Sequence, residues 1–193
     1  MRKEHFRRKV MKNCSKNYNW SLKCYLIIFI SKGTIIGVKK EVNCMNIQKF
    51  TQKSIEAINN CEKIAYDYGN QEIDQEHFLY SLMTIEDSLI ANLIEKMNID
   101  KDIFLKNIEQ LLNQKNKVSG DVKLYISNDL NKVLVNAEDE AKAMGDEYVS
   151  VEHLFLALLK YPNKAMKEIF KEYGITRDRF LQALSTVRGN QRV

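Results

Sequence analysis

Proline and glycine are scarce in this chain, whose 193 residues include one proline and seven glycines. Folds with many short strands need both residues at their turns, so this scarcity disfavours an all-β protein. After residue 44 cysteine is also scarce: Cys61 stands alone there, which excludes a disulfide framework and favours a reducing compartment. With 45% hydrophobic and 28% charged residues, the composition indicates a soluble, mostly helical protein.

Positive charge is concentrated at the amino end. Residues 1–44 hold eleven basic side chains against two acidic ones, whereas residues 45–193 hold nineteen basic and twenty-three acidic, a net charge of −4. Because an acidic body repels phosphate backbones, the overall charge of +5 does not indicate a nucleic-acid partner.

The first 44 residues show neither a helical nor a strand period. Their apolar run at residues 24–30 is too short to cross a bilayer, which needs about 20 residues, and no signal-peptide cleavage site follows it. Residues 40–42, Lys-Glu-Val, can be encoded by AAGGAGGT, a bacterial ribosome-binding sequence, and two codons separate them from Met45. We therefore expect residues 1–44 to be a translated leader and the protein to begin at Met45; a targeting segment is the alternative.

From Phe50 onward the chain repeats itself with a constant offset of 76 residues. The matched positions are Gly69/Gly145, Glu76/Glu152, His77/His153, Leu82/Leu158, Ile99/Ile175, Asp102/Asp178, Phe104/Phe180 and Leu105/Leu181. Each unit is predicted to form four helices, with repeat one at 50–112, a polar linker at 113–123 and repeat two at 126–188. Units this small are marginal alone, so the pattern predicts one all-α domain over 45–193, a pseudo-twofold pair of four-helix repeats sharing a core.

Local signals at matching places support this division into eight helices. Capping side chains precede the predicted helices at Thr51, Asp74, Asp100, Ser127, Ser150, Asn163 and Thr176. Gly69 and Gly145 provide the left-handed residue that ends a helix. Four helix starts carry a hydrophobic staple, at Ile73/Phe78, Ile99/Phe104, Val149/Leu154 and Ile175/Phe180.

Each repeat carries one Glu-His pair, Glu76-His77 or Glu152-His153, near a predicted helix start. A zinc site needs about four ligands, and these histidines are 76 residues apart, so we expect caps and imidazoles bonded to neighbouring backbone; a pseudo-symmetric site is the alternative. Cys61 is expected to be a small buried side chain, and the acidic stretch 138–140 a solvated helix face. We predict no metal site and no catalytic residue.

Two blocks of the repeats resemble a known domain: Gly69-Asn-Gln-Glu-Ile-Asp-Gln-Glu-His77 and Gly145-Asp-Glu-Tyr-Val-Ser-Val-Glu-His153. They are similar to the double repeat of the Clp amino-terminal domain, which precedes the ATPase modules of the Clp family of AAA+ unfoldases. Residues 187–193 resemble the start of the connector in the ClpB-type disaggregase. The chain has no Gly-x-x-x-x-Gly-Lys-Ser/Thr motif to hold phosphates, so we expect a recognition module without a cofactor.

The resemblance implies a non-enzymatic, cytoplasmic module that binds exposed apolar segments of unfolded or aggregated polypeptides in a shallow groove between the repeats. Carried over by position, it implies Thr51, Asp146 and Glu152 as polar contacts and Leu134 as an apolar one. Ordering costs should keep such binding weak and tolerant of sequence.

Two alternatives come from other functional classes. The first alternative is an adaptor-docking or decoy module of the Clp system, with adaptor proteins or a ClpB-type hexamer as partners. A helix-turn-helix DNA-binding protein is disfavoured by the acidic body and by the lack of a basic recognition helix. We expect no nucleic-acid or membrane partner, and a monomer in isolation.

Overall fold

Two successive sets of four helices make up the part of the chain that this computed structural model describes, residues 47–118 and 123–188. After a 3-10 turn at Ile47–Lys49, the elements in chain order are α1 (Gln52–Tyr68), β1 (Glu72–Ile73), α2 (Gln75–Thr84), α3 (Leu89–Lys96), α4 (Lys101–Gln114), β2 (Tyr125–Ile126), α5 (Asn128–Met144), α6 (Val151–Lys160), α7 (Lys164–Glu172) and α8 (Arg177–Arg188). The all-α prediction with eight helices is confirmed. The predictions for residues 1–44, Ser119-Gly120 and the last five residues lie outside the described parts of the chain.

Helix boundaries follow the capping signals. Ser127 Oγ accepts the N–H of Leu130 at 3.0 Å at the start of α5, and Thr51, Asp100 and Asn163 accept backbone N–H groups at the starts of α1, α4 and α7. Gly69 and Gly145 end α1 and α5 with φ values of +69° and +75°, a conformation that other residues adopt only at a cost. Helix α4 differs slightly, since it continues to Gln114, two residues beyond the predicted end of repeat one.

Two short backbone pairings, which the sequence pattern did not predict, link the repeats. Ile73 of β1 lies opposite Ile126 of β2 in a parallel pair, and Phe50 forms a parallel bridge with Val149. Position 50 is equivalent to position 126, and position 73 to position 149, by the 76-residue offset. In each pairing, the segment before the first helix of one repeat lies parallel to the segment before the second helix of the other repeat. The pseudo-twofold relation exchanges the two pairings.

Helices α2 and α6 lie at the centre of the described unit and contact each other. Phe78 in α2 and Phe155 in α6 are fully buried. Phe155 packs against Phe180 of α8 with ring centroids 4.6 Å apart. Between the repeats, Phe104 of α4 makes an edge contact with Tyr173 after α7, at 4.9 Å. The described residues from Lys49 onward thus form one compact unit with a core shared by both repeats.

The buried side-chain amide of Gln75 in repeat one forms hydrogen bonds with the backbone of repeat two. Gln75, the first residue of α2, is fully buried, and its Nε2 donates to the carbonyls of Tyr161 at 2.8 Å and Asp129 at 3.1 Å. Its Oε1 accepts the N–H of Asn163 at 2.7 Å. The equivalent residue in repeat two, Val151, is buried and apolar, so this network breaks the pseudo-symmetry.

Candidate functional site

His77 in repeat one is a structural residue with both ring nitrogens engaged. Its Nδ1 accepts the N–H of Asp74 at 3.0 Å, which leaves the proton on Nε2, and Nε2 donates to Asn70 Oδ1 at 3.1 Å. Burial, helped by the charge of Lys115, lowers the pKa of His77 to about 4, so the imidazole is neutral at pH 7. The structure adds the side chain of Asn70 to the backbone partner expected from sequence.

A lysine neutralises the acidic groups around this histidine. Lys115 Nζ lies 2.9 Å from Asp74 Oδ2 and 2.9 Å from Glu76 Oε2. Burial and the neighbouring Asp74 charge raise the pKa of Glu76. Burial also opposes ionisation of Asp74, but hydrogen bonds from Ser127 and Lys115 outweigh it and lower the pKa of Asp74. Asn163 Nδ2 donates to Glu76 Oε1 at 3.2 Å, so this cluster joins the two repeats.

Repeat two holds the equivalent cluster at the amino end of α6. His153 Nδ1 accepts the N–H of Ser150 at 3.0 Å, and Nε2 donates to Asp146 Oδ2 at 2.9 Å. Arg188 Nη2 donates to the same carboxylate oxygen, while Arg188 Nη1 lies 3.8 Å from Glu152 Oε1. The Asp146 side chain is fully buried, and those of Glu152 and Arg188 are 5% and 12% exposed. Burial lowers the pKa of His153, which favours the neutral imidazole.

Each cluster therefore combines a neutral histidine with two carboxylates and one cation. In repeat one the second carboxylate is the helix cap Asp74, whereas in repeat two it is Asp146, at the position equivalent to Asn70. The cations, Lys115 and Arg188, lie at or just after the end of the fourth helix of each repeat and are 73 residues apart. Because the offset between these cations is not 76, the repeat pattern could not reveal them.

Three of the four predicted contact residues come together at the amino end of α6. The N–H of Thr51 donates to Val149 O at 3.0 Å, which places the half-buried Thr51 beside the start of this helix. Asp146 and Glu152 share Arg188, as described above. We call Thr51, Asp146, Glu152 and Arg188 the α6 amino-end site. Leu134 is 3% exposed within α5, so it belongs to the core in this conformation and offers no open apolar surface.

Exposed apolar side chains adjoin this site in sequence. Tyr148, two residues after Asp146, is 44% exposed, and Val187, beside Arg188, is 46% exposed. Next to the repeat-one cluster lies a cavity of about 430 Å³, lined by Asn70, Gln71, Glu72, Gln114, Lys115, Asn116, Val118 and Tyr125. Tyr148 and Val187 are thus exposed apolar neighbours of the repeat-two cluster along the chain, and the cavity includes Asn70 and Lys115 of the repeat-one cluster.

The prediction of a solvated face at residues 138–140 is wrong for Glu140. This side chain is buried and accepts a hydrogen bond from Lys160 Nζ at 3.1 Å, and its Oε2 forms an ion pair with Arg177 Nη2 at 2.7 Å, so it joins α5 to α6 and α8. The cations outweigh the effect of burial and lower the pKa of Glu140. The prediction for Cys61 is confirmed, since it is buried and burial raises its thiol pKa far above the usual range.

Neither a metal site nor a membrane-spanning helix occurs within residues 47–118 and 123–188. Within them, no three histidine, cysteine or acidic side chains cluster in a way that could hold a metal ion. No helix in the same residues combines the length and the apolar character needed to span a bilayer.

Comparison with known proteins identifies the fold. The family described as the Clp repeat (R) N-terminal domain matches residues 49–173, which include both Glu-His pairs. The chain belongs to the Clp N-terminal domain family. It is 39% identical over 154 residues to the chaperone protein ClpB of Nitratidesulfovibrio vulgaris, covering 77% of this chain and 18% of that relative. This Clp N-terminal domain chain thus spans just under a fifth of the curated relative, and the resemblance read from the sequence is confirmed.

Solved structures share the architecture. The Hsp104 N-terminal domain from Candida albicans is 25% identical, with a TM-score of 0.63 over 75% of this chain and 94% of that chain. A ClpV N-domain solved in complex with a VipB peptide is 16% identical, with a TM-score of 0.59 over 80% of this chain and 96% of that chain. The latter similarity concerns the fold alone.

Proposed function

We propose that this Clp N-terminal domain is a non-enzymatic recognition module of a ClpB-like disaggregase, which binds exposed apolar segments of unfolded or aggregated polypeptides. The observation that carries the proposal is the arrangement at the α6 amino-end site in a chain 39% identical to a ClpB chaperone. There, Asp146 and Arg188 form a buried ion pair. Along the chain, the exposed residues Tyr148 and Val187 lie two residues from Asp146 and one residue from Arg188, respectively.

Such a surface suits weak and tolerant binding. Burying apolar side chains of a client contributes about 25 cal/mol for each Å² removed from water. Ordering of the client chain offsets much of this contribution, so affinities near the micromolar range or weaker are expected. A weakly held client can be released to another part of the disaggregation machinery.

The same geometry argues against acid–base catalysis at the Glu-His pairs. Both nitrogens of His77 and His153 are engaged in hydrogen bonds, and burial lowers both pKa values. A general base needs a free nitrogen directed at a substrate. We therefore assign these histidines to holding the amino ends of α2 and α6.

Binding to a permanently unfolded protein tests the proposal. Labelled, reduced and carboxymethylated α-lactalbumin should bind the full chain with a dissociation constant between about 1 µM and 1 mM in fluorescence anisotropy. The double variant Tyr148→Ser/Val187→Ser should bind at least about fivefold more weakly, because apolar contact area is lost. Tyr66→Ser is the matched control, since Tyr66 is 79% exposed on α1, away from the site in sequence. Absence of binding up to about 1 mM would refute the proposal.

Docking of a specific adaptor is the second candidate, and the ClpV N-domain solved with a VipB peptide favours it because the two chains share a fold. Pull-down from lysate separates the candidates. One stoichiometric partner would support adaptor docking, whereas a heterogeneous set enriched after heat shock would support client binding.

A further inference from the structure

Arg179 in α8 joins the two repeats through backbone carbonyls. Its Nη1 donates to Tyr173 O and Gly174 O, both at 3.1 Å, at the end of α7, and its Nη2 donates to Met97 O at the end of α3. Met97 and Tyr173 are equivalent positions by the 76-residue offset. One guanidinium therefore binds the carboxyl ends of two equivalent helices, one from each repeat.

The positive charge of Arg179 suits these partners and not its own helix. Arg179 is the third residue of α8, and a cation in the first turn of a helix is disfavoured by the dipole of that helix. The carboxyl ends of α3 and α7, in contrast, carry partial negative charge on carbonyls that lie beyond the reach of their own helical N–H groups. A guanidinium has five N–H donors and can bind several such carbonyls at once, so Arg179 acts as a shared cap.

Two differences between the repeats accompany this contact. The position of repeat one that is equivalent to Arg179 is Ile103, which is 54% exposed. The left-handed residue after α7 is Gly174, whereas the equivalent residue after α3 is Asn98. A Cβ on Gly174 would lie 3.3 Å from Arg179 Nη1, closer than most Cβ contacts. The glycine therefore leaves room for the guanidinium, and both differences serve the same contact.

Helix α8 contributes to the proposed binding surface at its other end. Val187, which is 46% exposed, and Arg188 are its last two residues. At about 1.5 Å per residue, Val187 lies about 12 Å along the helix from Arg179. Just after Arg179, the ring of Phe180 is buried against Phe155 of α6. A helix that pivots at Phe180 moves its long arm, and with it Val187, whereas Arg179 fixes the short arm.

We propose that Arg179 is a positioning residue for client binding: by tying the amino end of α8 to the end of α3, it sets where α8 places Val187 and Arg188. Arg179 acts through α8 and makes no contact with the client. The inference rests on the proposed function, because client affinity is the property that Arg179 adjusts. A contact with repeat one thereby controls a site in repeat two.

Client binding tests this role in the full chain. Labelled, reduced and carboxymethylated α-lactalbumin should bind Arg179→Ala about fivefold more weakly than the wild type at about 15 °C, with circular dichroism verifying that both proteins are folded. Arg179→Lys keeps the charge with a single donor group and should fall between the two. Ile108→Val is the destabilised control, since it removes one methyl group from a buried side chain of α4 and should keep the wild-type affinity.

Hydrogen exchange provides a readout that a merely stabilising contact would not move. In Arg179→Ala, exchange in α8 should accelerate at least about threefold more than exchange in α1, because α8 loses an anchor while α1 keeps its contacts. In Ile108→Val, exchange should show no such preference for α8.

Wild-type affinity in a folded Arg179→Ala chain, or exchange that accelerates equally in α8 and α1, would overturn the inference and leave the proposed function intact. Failure of the wild type itself to bind the unfolded protein would refute the proposed function, and hydrogen exchange would still decide whether Arg179 positions α8. If Arg179→Ala does not fold, Arg179→Lys provides both comparisons.

Discussion

Replacement of Gln75 by valine tests whether buried polar contacts hold the two repeats together. Gln75→Val places the residue of the equivalent position in repeat two, Val151, at the first position of α2. The change leaves the N–H of Asn163 and the carbonyl of Tyr161 without their Gln75 partners, whose bonds measure 2.7 and 2.8 Å. Valine is similar to glutamine in volume but forms neither bond.

The expected loss follows from these two groups. Each buried backbone group that loses its hydrogen bond costs about 1–3 kcal/mol, and the apolar valine side chain recovers about 1 kcal/mol through burial. We therefore expect Gln75→Val to lower the free energy of unfolding by about 3 kcal/mol, a large share of the roughly 5–15 kcal/mol of a typical domain.

Urea unfolding followed by circular dichroism at 222 nm measures this loss. The matched control is Gln110→Val, an exposed position in α4, for which a change below about 0.5 kcal/mol is expected. A loss below about 1 kcal/mol for Gln75→Val would refute the idea that this amide joins the repeats.

Three further predictions concern acid sensitivity, packing and backbone conformation. The pKa of His77 is about 4 in the folded chain against 6.5 in the unfolded chain, so the unfolded state binds the proton first as pH falls. The free energy of unfolding should therefore drop by up to about 3 kcal/mol between pH 6.5 and 4. His77→Gln can keep an acceptor for the Asp74 N–H, and thermal melts of this variant should show a smaller drop over the same pH range. Equal drops in the two proteins would contradict this assignment. Phe104→Ala should cost about 3–5 kcal/mol in urea unfolding, because it removes a fully buried ring that packs on Tyr173; a loss near zero would mean that the shared core is absent. Gly145→Ala should cost about 1 kcal/mol by the same measurement, since φ is +75° there; an unchanged midpoint would contradict the backbone conformation.

Helices and their boundaries could be predicted from the sequence because the signals that define them are local. Capping residues such as Ser127, and glycines such as Gly145, act within one helical turn, so they can be read without knowledge of distant contacts. The 76-residue offset showed that the helices repeat in two sets. Apolar residues at helical spacing, together with the four hydrophobic staples, indicated which helix faces turn inward. Family resemblance then pointed to Thr51, Asp146 and Glu152, whose role in binding stays a prediction.

Charge placement was decided by the tertiary structure alone. The acidic stretch at 138–140 looked like a solvated face, yet Glu140 turns inward because Lys160 and Arg177 arrive from two other helices. Lys115 and Arg188 meet their glutamates across 39 and 36 residues of chain, spacings that no local period encodes. An ion pair depends on which helix ends converge in space, so its partners emerge only once the chain has folded.

The sequence by itself determined where eight helices begin and end and that they repeat in two sets of four, because hydrogen bonding at helix ends and apolar spacing are short-range. Only the tertiary structure decided that each set pairs a backbone segment with the other set, and that Arg188 forms ion pairs with Asp146 and Glu152. These features join residues far apart in the chain, and their energies depend on burial, which only the packed domain creates.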